Sequence, residues 1–179
     1  MKWNLDTTHS AVDFSVKHLM ISTVKGRFAT FSGSGETNAD GTLNSVALEL
    51  DAASINTNQT QRDDHLRSPD FFDVGQFPKA TFASTKISQK GSDVTITGDL
   101  TMHGITKPVT LTGEITDVIK DPWGNQRLAL NVSGKLNRKE FGLGWNQVLE
   151  AGGVAVSEEV KLSVEVQAVA VSEGALVAA

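Results

Sequence analysis

The four histidines are the first candidates for chemistry in this sequence: His9, His18, His65 and His103. A metal site needs converging ligands, often two histidines one helical turn apart or on alternate positions of a strand. These four have no such spacing, and the sequence contains no cysteine that could supply a thiolate. We therefore predict no metal site. For His9 and His103 a turn-fixing role is favoured, and contact with a ligand headgroup or a catalytic role are the alternatives.

The run Asp63-Asp64-His65 is the second candidate, because two carboxylates beside an imidazole can carry acid–base chemistry. That chemistry needs a cleft and a tuned pKa. On a short polar helix such a cluster is more typical of a solvated face or of charges that complement the helix N-terminus. No nucleophile elbow and no phosphate-binding glycine loop accompany it. The sequence therefore favours a protein that is not an enzyme and that requires no cofactor.

A basic group surrounds the predicted first hairpin. It consists of Lys17, His18, Lys25 and Arg27, with Arg62 and Arg67 added if the predicted helix folds over the same end. Cationic side chains of this kind can bind a phosphate or quinone headgroup. A solvated face is the favoured interpretation, and headgroup binding is the alternative.

Composition excludes several classes of protein. The chain has 179 residues, 16 Lys+Arg against 21 Asp+Glu and a net charge of −5, which argues against a nucleic-acid binder. It has no run of 18 apolar residues and therefore no helix predicted to span a membrane. Met1-Lys2 leads directly into Trp3 without an apolar signal segment, so a cytoplasmic location is expected.

Alternation of apolar and polar residues dominates the rest of the sequence and predicts β-strands with one buried face. In the last such segment Val164 is expected to face inward and Glu165 outward. The eight predicted strands lie at about 12–16, 25–37, 46–52, 79–90, 94–102, 109–115, 128–136 and 160–166. Short turns between most of them favour antiparallel neighbours.

Two segments interrupt the alternation. Residues 59–72 predict a short helix between strands three and four, and residues 140–157 predict an irregular stretch. Eight antiparallel strands with one apolar face close most easily into a barrel, which is either filled or holds one small ligand. Gly98, Gly113 and Gly134 fall at inward positions. They either relieve crowding in the sheet or deepen an elongated cavity.

Four segments together resemble conserved blocks of the YceI-like family of bacterial lipid-binding proteins. They are Trp3–His18, His65–Phe82, Leu100–Leu111 and Asn137–Trp145, and the resemblance extends from Trp3 to about Val171. It implies a lipocalin-like barrel that binds polyisoprenoids, such as isoprenoid quinones or polyprenyl phosphates, in its lumen. It also implies a homodimer, for which apolar Val169 and Val171 at outward positions add weak support. Many family members are periplasmic.

We accordingly predict one domain over residues 1–171, a flexible tail over 172–179, and non-enzymatic binding of an isoprenoid lipid for transport, storage or sequestration. The predicted ligand-binding residues are apolar: Phe14, Val16, Phe28, Leu48, Leu50, Phe71, Phe72, Phe82, Leu100, Leu130 and Val164. The predicted headgroup contacts are His18, Arg62 and His103. Phe72 is the preferred gate residue, and Phe141 and Trp145 are expected to close part of the wall.

Two other functions stay open at this point. One is an enzyme acting on an isoprenoid or quinone within the same barrel, and the other is a solid barrel whose outer face binds a protein. We also expect no metal and no nucleic acid among the partners, and transient contact with a membrane.

Overall fold

The structure, a computed structural model, describes residues 1–172. In that range the chain forms a closed antiparallel sheet and one α-helix. The strands are β1 (Lys2–Leu5), β2 (Ala11–His18), β3 (Ser22–Phe28), β4 (Phe31–Thr37), β5 (Leu43–Asp51), β6 (Ile55–Asn56), β7 (Lys79–Lys90), β8 (Asp93–Met102), β9 (Ile105–Ile115), β10 (Ile119–Lys120), β11 (Gln126–Asn137) and β12 (Glu159–Ala170). Helix α1 (Thr60–Arg67) lies between β5 and β7, where the break in alternation predicts it.

Eight strand positions close the barrel, in the order β1, β4, β5, β7, β8, β9, β11 and β12, with β12 pairing again with β1. Two of these positions hold interrupted strands. β2 continues β1 beyond the 3-10 turn Thr7–His9, and β3 leads into β4. Because β2 pairs with β3 and with the first half of β12, both interrupted strands stay in the barrel wall. The predicted eight-stranded antiparallel barrel is confirmed.

Alternation decides which side of each strand faces the lumen. On β8, Val94 and Ile96 are buried while Thr95 between them is exposed. On β12, Val164 lines the lumen while Glu165 is exposed, as predicted. A shift of one residue in register would exchange the two faces, so the buried apolar set also fixes the strand register.

The two ends of the barrel differ. At the helix end lie α1, the β2–β3 hairpin, the β8–β9 turn and the segment 138–158. At the far end the buried Trp3 indole donates from Nε1 to Thr37 Oγ1 over 3.0 Å. Arg127 donates to Asp6 Oδ2 at 2.8 Å and to Asp121 Oδ2 at 2.7 Å. Side-chain hydrogen bonds therefore join the segments at the far end of the barrel.

The inward glycines relieve crowding and do not widen the lumen. A Cβ atom on Gly98 would overlap the Phe82 ring, and one on Gly134 would lie 2.7 Å from the Thr110 carbonyl oxygen. At Gly113 it would meet the backbone of β11. The cavity-deepening interpretation of these glycines is therefore wrong, because each position is already filled by a close neighbour.

Asp63 also departs from expectation. It is buried, not solvated, and it accepts hydrogen bonds from the backbone N–H of Thr57 at 2.8 Å and from the Thr57 hydroxyl at 2.5 Å. Asp63 therefore anchors the loop before α1. Asp64 pairs with Arg67 at the surface, as expected for a solvated charge.

Some predictions concern residues at the edge of the described range. Apart from Ser172, the predicted flexible tail lies outside the described residues. Val169 and Val171 are half-buried, and the homodimer stays a prediction. Among residues 1–172 no helix is long and apolar enough to cross a bilayer.

Candidate functional site

Two adjoining chambers occupy the inside of the barrel, and the one nearer the far end has an almost wholly apolar wall. This deep chamber has a volume of about 160 Å³. Among residues 1–172 its wall is formed by aliphatic and aromatic side chains and Met102. Asp13 and Ser34 border it through their backbone, because Ser34 is exposed and Asp13 lies opposite the exposed Ser163. Phe82, Leu100 and Val164 point inward yet stay half-buried, because their remaining surface faces the cavity.

The outer chamber lies at the helix end and is larger, about 270 Å³. Its apolar wall comes from strands β2, β3 and β12 and from the irregular segments around α1 and after β11. It also carries polar side chains: His18, Thr57, Arg62, His65 and Arg138. Polarity is therefore concentrated in the outer chamber, where a ligand headgroup would lie if the tail occupied the deep chamber.

Aromatic rings separate the two chambers. Phe14 and Phe28 line both of them, with ring centroids 5.8 Å apart. Phe72 meets Phe28 edge-on, again at 5.8 Å between centroids. The position of the Phe14 ring depends on Gly26, since a Cβ atom there would overlap it. These rings form the constriction between the two chambers.

Arg62 places a cation beside the outer chamber. Its Nε donates to Thr57 Oγ1 at 2.7 Å and its Nη2 to the Thr57 carbonyl oxygen at 2.8 Å. These bonds fix the guanidinium, and Thr57 is fixed in turn by Asp63. Nη1 makes no hydrogen bond within residues 1–172, so it is available to an anionic or carbonyl oxygen of a ligand.

Arg138 is the most deeply buried cation of the outer chamber, only 3% exposed. Its guanidinium donates to the carbonyl oxygens of Ser157, Leu143, Trp145 and Val156, at 2.5 to 3.2 Å. Burial lowers the pKa of Arg138 from its usual value, and the Glu158 carboxylate acts in the opposite direction. Because these donors are engaged by the backbone, Arg138 holds the segment 138–158 in place as part of the wall.

An aromatic cluster completes that wall. The His65 ring packs edge-on against Phe71 and Trp145, at centroid distances of 5.1 and 4.8 Å. His65 Nε2 lies 2.8 Å from Asp70 Oδ2, which orients the ring. The Arg138 guanidinium lies 6.0 Å from the centroid of Phe71. Helix α1 is thereby joined to the segment after β11 over the outer chamber.

The sequence as a whole matches a known domain family: the YceI-like domain matches residues 3–168. The chain belongs to the YceI-like family. A UPF0312 protein of Enterobacter sp. (strain 638) is 40% identical over 164 residues, covering 90% of this chain and 81% of that protein. A UPF0312 protein of Staphylococcus aureus (strain USA300) is 40% identical over 162 residues, covering 89% and 92%. These relatives share nearly the whole of this YceI-like chain.

Solved structures share its fold. A YceI protein of Campylobacter jejuni is 29% identical with a TM-score of 0.76, covering 87% of this chain and 90% of that one. A polyisoprenoid-binding domain from Saccharophagus degradans is 18% identical with a TM-score of 0.67, covering 94% and 98%. At that low identity the second likeness concerns the fold alone.

Within this YceI-like barrel, the apolar residues predicted to bind a ligand all line one of the two chambers. The deep chamber contains Phe14, Phe28, Leu48, Leu50, Phe82, Leu100, Leu130 and Val164. The outer chamber contains Phe14, Val16, Phe28, Phe71 and Phe72. Their placement follows from strand parity and from the two phenylalanines after α1. Whether they contact a ligand stays a prediction.

The three predicted headgroup contacts do not all lie at the same site. His18 and Arg62 line the outer chamber, but His103 lines neither chamber. His103 adopts a left-handed backbone in the β8–β9 turn, and its Nδ1 lies 3.0 Å from the Phe141 carbonyl oxygen. The headgroup role for His103 is therefore wrong and the turn-fixing role holds. His9 is likewise fixed in its turn, with Nδ1 3.0 Å from Asp6 Oδ2.

Two features near the outer chamber were not predicted from the sequence: the full burial of Phe141 and the role of Arg138. Trp145 was expected in the wall and lines it, whereas Phe141 is fully buried behind it. Arg138 was not singled out, although it belongs to the block Asn137–Trp145 that resembles the family. A charged residue two positions after a predicted strand gives no sign that it will be buried among the carbonyl oxygens of residues 143–157.

Proposed function

We propose that this YceI-like protein binds an isoprenoid lipid, of the polyprenyl or isoprenoid-quinone type, for transport, storage or sequestration. The observation that carries the proposal is the deep chamber, whose wall within residues 1–172 is formed by apolar side chains. The binding named for the Saccharophagus degradans domain, on the same fold, adds support.

The energetics favour a long apolar tail. Each buried CH₂ group contributes about 0.8 kcal/mol. Several isoprene units therefore supply ample driving force, although immobilising the ligand offsets part of it. An apolar wall contacts all such tails alike, so binding should be tight and weakly selective for the chemistry of the tail.

The headgroup would lie in the outer chamber. There Arg62 Nη1 and the His18 ring can donate to a phosphate or quinone oxygen. In the deep chamber the described residues contribute an apolar wall, because Asp13 and Ser34 turn their side chains to the outer face. This distribution supports binding without chemistry on the ligand.

The test is organic extraction of the purified protein followed by mass spectrometry, with reloading of the delipidated protein by a polyprenyl phosphate or a quinone. Leu162→Trp places a large side chain at the junction of the chambers, where it should sharply reduce bound lipid. Ser163→Trp on the exposed face of the same strand is the matched control. Wild-type protein that yields no lipid and binds none when loaded would refute the proposal. Turnover of a prenyl or quinone substrate would identify an enzyme instead.

A further inference from the structure

The hairpin between β2 and β3 ends in three large apolar side chains that lie in solvent. Leu19, Met20 and Ile21 are 39, 59 and 82% exposed, and we refer to these three residues as the hairpin tip. Val148, on the segment that adjoins the tip, is 80% exposed. Contiguous exposed apolar surface of this kind is typical of an interaction site.

The backbone of the tip adopts a conformation that residues with bulky side chains rarely take. Leu19 and Met20 have φ angles of +52° and +63°, in the left-handed region that favours glycine or asparagine. The Leu19 N–H donates to the Ala155 carbonyl oxygen at 2.8 Å, which holds the tip against the adjoining segment. Bulky side chains kept at such positions indicate that the side chains themselves are needed.

The hairpin carries positive charge in an acidic protein. From Phe14 to Phe28 it contains Lys17, Lys25 and Arg27 and no acidic residue, whereas the whole chain has a net charge of −5. Lys17 and Lys25 are exposed, and neither forms an ion pair within residues 1–172. Two acidic residues lie on the neighbouring segment 148–158, Glu150 and Glu158, and Glu158 is paired with Lys139. An apolar tip flanked by lysines complements an anionic lipid surface.

The base of the hairpin belongs to the outer chamber. Val16, His18 and Val24 line that chamber, and His18 pairs with Val156 on its opposite side. A lipid surface that binds the hairpin tip would therefore lie next to the outer chamber. The other exposed apolar group, around Trp123 at the far end, lies among Asp117, Lys120 and Asp121 and lacks this positive charge.

We propose that the hairpin tip docks this protein on an anionic lipid bilayer, with Leu19, Met20 and Ile21 inserted among the headgroups and Lys17 and Lys25 against their phosphates. Docking itself does not depend on the proposed lumen function. Only its purpose, exchange of an isoprenoid lipid between bilayer and outer chamber, rests on that function.

The test is co-sedimentation with vesicles of phosphatidylcholine alone and of phosphatidylcholine with phosphatidylglycerol. Wild-type protein should bind the anionic vesicles, less so as salt rises. Met20→Gly with Ile21→Ser should weaken binding by at least about tenfold, since binding follows the apolar area inserted. Lys17→Gln and Lys25→Gln should each weaken binding to anionic vesicles by about fivefold.

Trp123→Ser is the matched control, because it removes an equally exposed apolar side chain from the far end and should leave vesicle binding unchanged. The glycine at position 20 suits the left-handed backbone, so the tip variant should melt no lower than wild type. Absence of wild-type binding, equal binding by the tip variant, or loss of binding in Trp123→Ser would each overturn the proposal. A shift from dimer to monomer in the tip variant, without a change in vesicle binding, would identify the tip as an interface between copies. Lipid extracted from the same preparations tests the lumen separately.

Discussion

The deep and outer chambers share a partition of aromatic rings, but different interactions hold their walls. Paired strands surround the deep chamber; the pairing of β11 with β12, for example, runs from Asn137 to Arg127. The outer chamber is closed by segments without long strands, which Arg62, Arg67 and Arg138 tie to backbone carbonyl oxygens. Backbone ladders resist local opening better than single side-chain bonds do. The deep chamber should therefore supply rigid apolar contact, and the outer chamber should control access.

A lysine placed in each chamber tests this contrast, and the largest effect is expected in the deep one. Val164→Lys would bury an ammonium group among apolar side chains and should lower the free energy of unfolding by about 4 kcal/mol or more. Val24→Lys, in the outer chamber, should cost only about 1–2 kcal/mol because the side chain can reach water. Glu165→Lys on the exposed face should cost well under about 1 kcal/mol. Urea unfolding measures all three. Equal losses for Val164→Lys and Val24→Lys would mean that the chambers do not differ.

Removal of the Arg138 guanidinium should open the outer chamber and leave the deep one closed. Arg138→Met keeps the apolar stem but leaves buried carbonyl oxygens without donors, so unfolding should become easier by about 3 kcal/mol. Lys139→Met removes only an exposed pair with Glu158 and should cost less than about 1 kcal/mol. Hydrogen exchange should then quicken in residues 138–158 before it does in β8 or β9. Uniform acceleration over the whole barrel would contradict the division into two parts.

Truncation of the ring above the constriction separates access from stability. Phe72→Ala removes a half-buried ring that packs on Phe28 and should cost about 2 kcal/mol, less than a fully buried phenylalanine. Bound lipid should be lost faster during washing. Phe77→Ala removes a half-buried ring that packs on His103 outside both chambers, so it should leave the rate of lipid loss unchanged. The measurements are a melting temperature and a lipid-to-protein ratio after timed washing. Equal lipid retention in the two variants would show that Phe72 does not act as a gate residue.

The contrast between chambers also explains which residues could be predicted from the sequence. The deep chamber is built by strand parity, so alternation alone places residues such as Leu48, Leu100 and Val164 correctly. Trp3 escaped this pattern because β1 is only four residues long. In the outer chamber the positions of the polar side chains depend on tertiary hydrogen bonds, and the spacing of residues in the sequence does not reveal these bonds. Arg138 was therefore missed and His103 was wrongly placed among the headgroup contacts.

Acid should produce the smallest effect, and it should fall on the far end that closes the deep chamber. Hydrogen bonds from Arg127 and His9 lower the pKa of Asp6 from 3.8 to about 2, and Arg127 also holds the pKa of Asp121 well below its usual range. A carboxyl whose pKa is lower in the folded state stabilises the fold above its unfolded pKa. That stabilisation is lost as pH falls from about 4 toward 2.

The segment 138–158, which adjoins the outer chamber, contains a comparable group at its surface, because Lys139 lowers the pKa of Glu158. Two variants separate the contributions. Arg127→Met should remove most of the acid sensitivity of the far end, and Lys139→Met should remove most of that of the segment 138–158. Melting temperatures between pH 5 and pH 2 would therefore converge on wild type at the acid limit for both variants. In the wild-type protein at low pH, hydrogen exchange should quicken in β10 and β11 as the Asp6–Arg127–Asp121 network is lost. It should quicken in residues 138–158 as the Glu158–Lys139 pair is lost. If Arg127→Met keeps the full wild-type dependence on pH, the Asp6–Arg127–Asp121 network does not fasten the far end.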